Sequence, residues 1–163
     1  THNFYKSAFK PDSISFISLP DDSYKGDGPV TLSDHITGNF DTGDGKWLGF
    51  RKDMTILLRF KTPVKLRSVA LHLVKNSGAD IYPPVQVEVW GGMDEGHLRL
   101  LKTVSPKPLA KGESPAIFLQ DCTFSPASVR FIKILATNLK KPPKWGNSPK
   151  KPGWVFMDEV LLN

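Results

Sequence analysis

At 163 residues the chain is long enough to bury a core as one domain without disulfides or metal staples. Cys122 is its only cysteine, so no intramolecular bridge can form, and no apolar run approaches the ~20 residues that span a bilayer. The net charge of +6 is scattered apart from Lys140, Lys141, Lys144, Lys150 and Lys151. These alternate with Pro142, Pro143, Pro149 and Pro152, which describes a stiff basic loop and not a helix that reads a nucleic-acid groove.

Glycine and proline, 13 and 14 of them, interrupt the chain about once in six residues and leave little room for helices. Residues 1–25 read as an N-terminal wrapping segment with an edge-strand candidate at Ser13–Leu19, followed by the turn-rich Pro20–Pro29. Thr31–Gly38 suits one helical turn. Asn39–Arg51 is a polar, glycine-rich loop carrying Asp44, Trp47, Phe50 and Arg51. From Met54 the pattern alternates, with Met54, Ile56, Leu58 and Phe60 on one side, as in a half-buried strand.

Further strands are expected at Ser68–Val74, with Val69, Leu71 and Leu73 inward, and at Val85–Trp90, with Val85, Val87 and Val89 inward. Between them Lys75–Pro84 is a second polar loop holding Asn76, Asp80 and Tyr82. Leu98–Val104 and Ala116–Leu119 flank the proline-rich Ser105–Pro115. Val129–Ala136 is β-like, with Phe131 and Ile132 competing for the inward face, and a closing strand, Trp154–Leu162, follows the basic loop. Short strands separated by turn signals, without a repeat or a linker, describe one all-β domain, an antiparallel β-sandwich.

In this order the segments GDGPVTLSDHITG, NFDTGDGKWLGF, TPVKLRSVALHLVKN, DIYPPVQVEVWGG, VRFIKILATN and GWVFMDEVLLN resemble the discoidin-like family, the coagulation factor 5/8 type C domains. The version they look most like stands at the C-terminal end of bacterial β-hexosaminidases, chitobiases among them. The likeness runs from about Gly26 to Asn163. It implies a jelly roll of about eight strands with a galactose-binding-like fold, and a non-catalytic module of a secreted, periplasmic or cell-surface glycan-degrading protein. Its partners would be an amino-sugar or galactose-containing glycan and an adjacent catalytic domain. Relatives also bind phospholipid headgroups or proteins, so a structural or docking domain is the alternative.

Sugar binding needs an aromatic face for the C–H side of a pyranose and fixed polar groups for its hydroxyls. Trp47 and Tyr82 are the expected platforms, meeting at one rim, with Asp44, Arg51, Asn76 and Asp80 as polar partners. Trp47, Gly49, Phe50, Tyr82 and Pro83 match the family pattern; the other reading of Trp47 and Phe50 is a cap over the barrel end. Trp145 is either a third platform or a staple for the basic loop, while Trp90, Trp154 and Phe156 read as packing.

The resemblance also implies a structural calcium ion, for which Asp34 and Glu159 occupy the matching positions, although the family pattern has Gly where this chain has His35. No enzyme signature competes. Asp158 and Glu159 are adjacent on a strand, where alternation sends neighbours to opposite faces. His2, His35, His72 and His97 lack zinc spacing, Cys122 lacks a nucleophile motif, and no GxSxG is present. Attachment to an acidic glycan or anionic surface through Lys140–Lys151 is a further expectation, a membrane being the lesser one.

Overall fold

The computed structural model describes residues 6–163; the first five residues of the wrapping segment, His2 among them, lie outside the described residues. Seven strands are present among the described residues: β1 (Ser13–Phe16), β2 (Leu48–Phe50), β3 (Met54–Lys75), β4 (Gln86–Gly92), β5 (Arg99–Val104), β6 (Ala116–Thr137) and β7 (Val155–Leu162). All pairings are antiparallel. The helical turn expected near Thr31 is a 3-10 segment, Gly28–Ser33.

β3 and β6, each 22 residues long, run through both layers of a sandwich. The first half of β3 pairs with β1 and with the last half of β6, which continues into β4 and β5. The second half of β3 pairs with the start of β6 and with β7, and β7 carries β2 on its far edge. Met54, Ile56, Leu58, Val87, Val89, Ile132 and Ile134 meet Val69, Leu71, Leu73, Met157 and Leu162 in one core. The jelly-roll sandwich expected from the sequence is the observed architecture.

Four expected strands are thus halves of two long ones. The β3–β6 ladder skips between Arg59 and Val64 and again between Leu66 and Ser68, and Pro63 and Pro126 lie in those gaps. There a missing N–H removes no ladder bond, so the prolines that read as strand ends sit where a continuous strand passes between layers. Val85 is a second difference: it precedes β4 and is exposed, its amide held by the Thr137 carbonyl at 2.8 Å.

β7 carries a bulge. His72 lies opposite Glu159 and Leu73 opposite Met157, so Asp158 is the extra residue. Val155 and Met157 face the core before it, and Val160 and Leu162 after it. The bulge resets the alternation, and the expectation that Asp158 and Glu159 point to opposite faces is corrected: both face outward from the core. That outer face is itself covered, by a small second core of Trp47, Val74, Ile81 and Phe156 with Tyr24 and Trp154 packed against it.

Candidate functional site

The two loops expected to form a cup behave differently. Trp47 is fully buried. Its indole Nε1–H donates to the Asn39 carbonyl at 2.9 Å, and its ring lies parallel to His72, centroids 5.8 Å apart. His72 Nδ1 is 2.5 Å from Asp158 Oδ1, while the Gly38 amide donates to Asp158 Oδ2 at 2.5 Å. A Cβ on Gly38 would fall 2.1 Å from the indole nitrogen, so the loop closes over Trp47 only with glycine there. Trp47 is therefore the key of the second core and offers no face to a ligand. The cup of indole and phenol drawn from the sequence does not exist in that form, because a polar loop can be folded back over its own aromatic.

Asp44 and Asn76 are likewise used locally. Asp44 accepts from the Lys46 amide at 3.0 Å, and Asn76 caps the Gly78 amide at 3.1 Å.

Tyr82, Trp145 and the loops around them make a groove of about 580 Å³. Its walls are Tyr82–Val85, Ser105–Lys111 and the stretch from Leu139 to Trp145. Asp80 positions two of these walls. Its carboxylate accepts from the Ser148 amide at 2.8 Å and from Asn147 Nδ2 at 3.3 Å, fastening the basic loop beside Tyr82. Arg51 closes the same knot: its Nε donates to the Pro152 carbonyl at 2.8 Å, its guanidinium stands 3.9 Å from Asp80, and it lies over the Trp154 ring. Arg51 and Asp80, expected as sugar partners, are brought together as anchors of the loop.

Trp145 is carried on a turn closed by the Gly146 amide and the Pro143 carbonyl at 2.9 Å, and it remains 36% exposed. Tyr82 forms the enclosed wall. A Cβ on Gly146 would come within 2.4 Å of the Tyr82 hydroxyl, and one on Gly153 within 2.8 Å of its ring. The Tyr82 hydroxyl is buried without a hydrogen-bond partner among the described residues, and burial, reinforced by the nearby Asp80 charge, raises its pKa above the ordinary phenol value. An unpaired buried hydroxyl is costly, and the Gly146 turn covers this one. Sequence reasoning missed the middle wall: Lys107, Leu109 and Lys111 lie in a segment that read only as a proline-rich spacer, although its alternation of lysine and proline matches the basic loop.

At the bulge, Glu159 is buried, with its carboxylate beside the Asp34 carboxylate and the His35 amide. Burial pushes its pKa up to about 8, the Asp34 carboxylate adds to the rise, and the His35 amide opposes it. His35 has φ +61°, the left-handed conformation that glycine favours and that histidine tolerates, so the departure from the family pattern keeps the backbone shape. Two adjoining carboxylates, one of them buried, are oxygen donors of the kind that suits a hard cation drawing its remaining oxygens from carbonyls and water. Among the described residues no three His, Cys, Asp or Glu side chains converge, so any cation at this pair would take most of its ligands from backbone carbonyls and water.

Asp158 and Glu159, though on one face, are covered, and Cys122 is buried with its thiol pushed up to about 11 by burial, which suppresses the nucleophilic thiolate.

No protein-family model and no curated protein sequence matches the chain. Solved structures match its fold. The family 32 carbohydrate-binding module (CBM32) of AlyQ, in complex with 4,5-unsaturated mannuronic acid, is 16% identical with a TM-score of 0.56 over 95% of this chain and 96% of that one. A pectin-binding carbohydrate-binding module is 13% identical with a TM-score of 0.58 over 94% and 91%. The family 32 module of NanJ from Clostridium perfringens, in complex with galactose, is 16% identical with a TM-score of 0.56 over 92% and 91%. At this identity the likeness establishes the fold alone, an antiparallel jelly-roll β-sandwich.

Proposed function

We propose that this domain is a non-catalytic carbohydrate-binding module that holds a glycan in the groove between Tyr82, Leu109 and Trp145. One observation carries the reading: an indole about one-third open to solvent stands beside an enclosed phenol whose hydroxyl lacks a partner among the described residues, on loops that Asp80 and Arg51 fasten. Stacking on Trp145 supplies the apolar contact, and the Tyr82 hydroxyl supplies a directed hydrogen bond once a small shift of the Gly146 turn uncovers it. The fold is shared with a module in complex with galactose, a pectin-binding module and a module in complex with a mannuronic acid, which supports the class of ligand. The module's place is in a larger extracellular glycan-degrading protein, where it keeps a neighbouring catalytic domain near its polymer; the resemblance in the sequence suggests a hexosaminidase as that neighbour.

A calcium ion belongs to the proposal as a structural part. Asp34 and Glu159 would hold it, and its charge would stabilise the paired carboxylates that otherwise repel. It has no part in sugar chemistry.

Titration calorimetry with galactose, N-acetylglucosamine and oligosaccharides containing them tests the reading. Dissociation constants of about 10 μM to 1 mM are expected, because few contacts offset the cost of association. Trp145→Ala should abolish the heat of binding while circular dichroism stays unchanged. Absence of binding to any glycan at millimolar concentration, together with stable co-purification on a neighbouring domain, would replace this reading with a docking role.

A further inference from the structure

We infer that the groove selects acidic glycans, polymers whose sugars carry carboxylate or sulfate groups; this inference rests on the groove being the glycan site. Lys107, Lys111 and Lys141 line it from two of its three walls, and no Asp or Glu side chain does. All three are exposed, and none makes an ion pair among the described residues. The carboxylates nearest this region are occupied elsewhere. Glu113, whose pKa the Lys75 ammonium chiefly lowers and Lys107 lowers further, sits 2.5 Å from Lys75 Nζ. Asp80 is turned into the loop knot by the Ser148 amide and Arg51.

The basic loop itself separates the two kinds of lysine. Lys140 leaves the groove and pairs with Asp53, whereas Lys141, the next residue, lines it. Prolines at 83, 84, 106 and 108 stiffen the walls between these charges, so the ammonium groups stand around an apolar floor that changes little on binding. A pyranose stacked on Trp145 presents its ring substituents sideways, toward the lysines. A neutral sugar leaves those charges to water; a uronate or sulfated sugar meets them. The +6 charge of the whole chain draws the same polymers to the surface over a longer range.

The test is calorimetry and affinity electrophoresis on the intact domain with polygalacturonate, alginate, a sulfated galactan, a neutral galactan and single-stranded DNA. Acidic polysaccharides should bind more tightly than the neutral one at about 50 mM salt and lose about tenfold in affinity at about 500 mM. The triple variant K107Q/K111Q/K141Q should lose about tenfold on acidic polymers and stay within about twofold on neutral ones, and Trp145→Ala should weaken both. The polyuronate and sulfated arms separate carboxylate from sulfate selection. Unchanged acidic binding in the triple variant, or DNA binding as tight as that of the acidic glycans, would overturn the inference. If the neutral galactan alone binds, and Trp145→Ala removes it, the groove stands and the charge selection falls; if Trp145→Ala alters nothing, both fall.

Discussion

Two tryptophans in glycine-containing loops have opposite parts to play. Trp47 is enclosed between the Gly38 backbone and His72, and Trp145 rides open on its turn. Trp47→Ala should cost about 3–5 kcal/mol of stability, read in a urea melt, because a large ring leaves a closed site. Trp145→Ala should shift the melt by less than about 1 kcal/mol while removing glycan binding. Gly146→Ala separates packing from recognition in another way: its methyl would strike the Tyr82 hydroxyl, so binding should weaken more than stability, measured by titration beside a thermal melt. The sequence could not distinguish the two indoles. The residues that precede Trp47 in the chain are polar or glycine, and the groups that bury it, His72 and Gly38, come from a distant strand and from a glycine whose need for smallness shows only in space.

At the level of elements, the β7 bulge decides the behaviour of the acidic pair. Adjacent Asp and Glu on a strand imply opposite faces, and only the skipped residue at Asp158 puts both under the Gly38 loop; nothing in the local sequence marks that skip. The consequence is a pH dependence with a definite sign. Glu159 has a folded pKa of about 8 against an ordinary carboxylate value, so between roughly pH 4.5 and 8 the folded protein binds more protons than the unfolded chain. Stability from this group is present at acid pH and lost as pH rises through that window. Metal-free protein should therefore melt several degrees lower at pH 8 than at pH 5.5, and Glu159→Gln should flatten the slope. Calcium should raise the melting temperature of the wild type at pH 8, and neither calcium nor a chelator should move that of Glu159→Gln; equal responses in both proteins would remove the cation from this pair. The loop knot has its own test: Asp80→Ala releases the Ser148 amide, so proteolysis between Lys140 and Lys151 should quicken and glycan affinity should drop.

Across the whole molecule, the strand pattern was legible because a sandwich core needs strict alternation, and Met54 to Phe60 or Val69 to Leu73 display it without interruption. Continuity was not legible, since Pro63 and Pro126 look like terminators and act as bends. The groove was half legible: Tyr82 and Trp145 stand out as aromatics among turn residues, but Lys107 and Lys111 lie in a segment that reads as a spacer and meets the basic loop only in the folded chain. The central claim is that this space, and not the Asn39–Lys46 loop, receives the ligand. Amide chemical-shift mapping of the labelled domain during a glycan titration measures that directly. Changes confined to Tyr82–Val85, Ser105–Lys111 and Leu139–Gly146 are expected; saturable changes centred on Asn39–Lys46 with those three walls silent would contradict it.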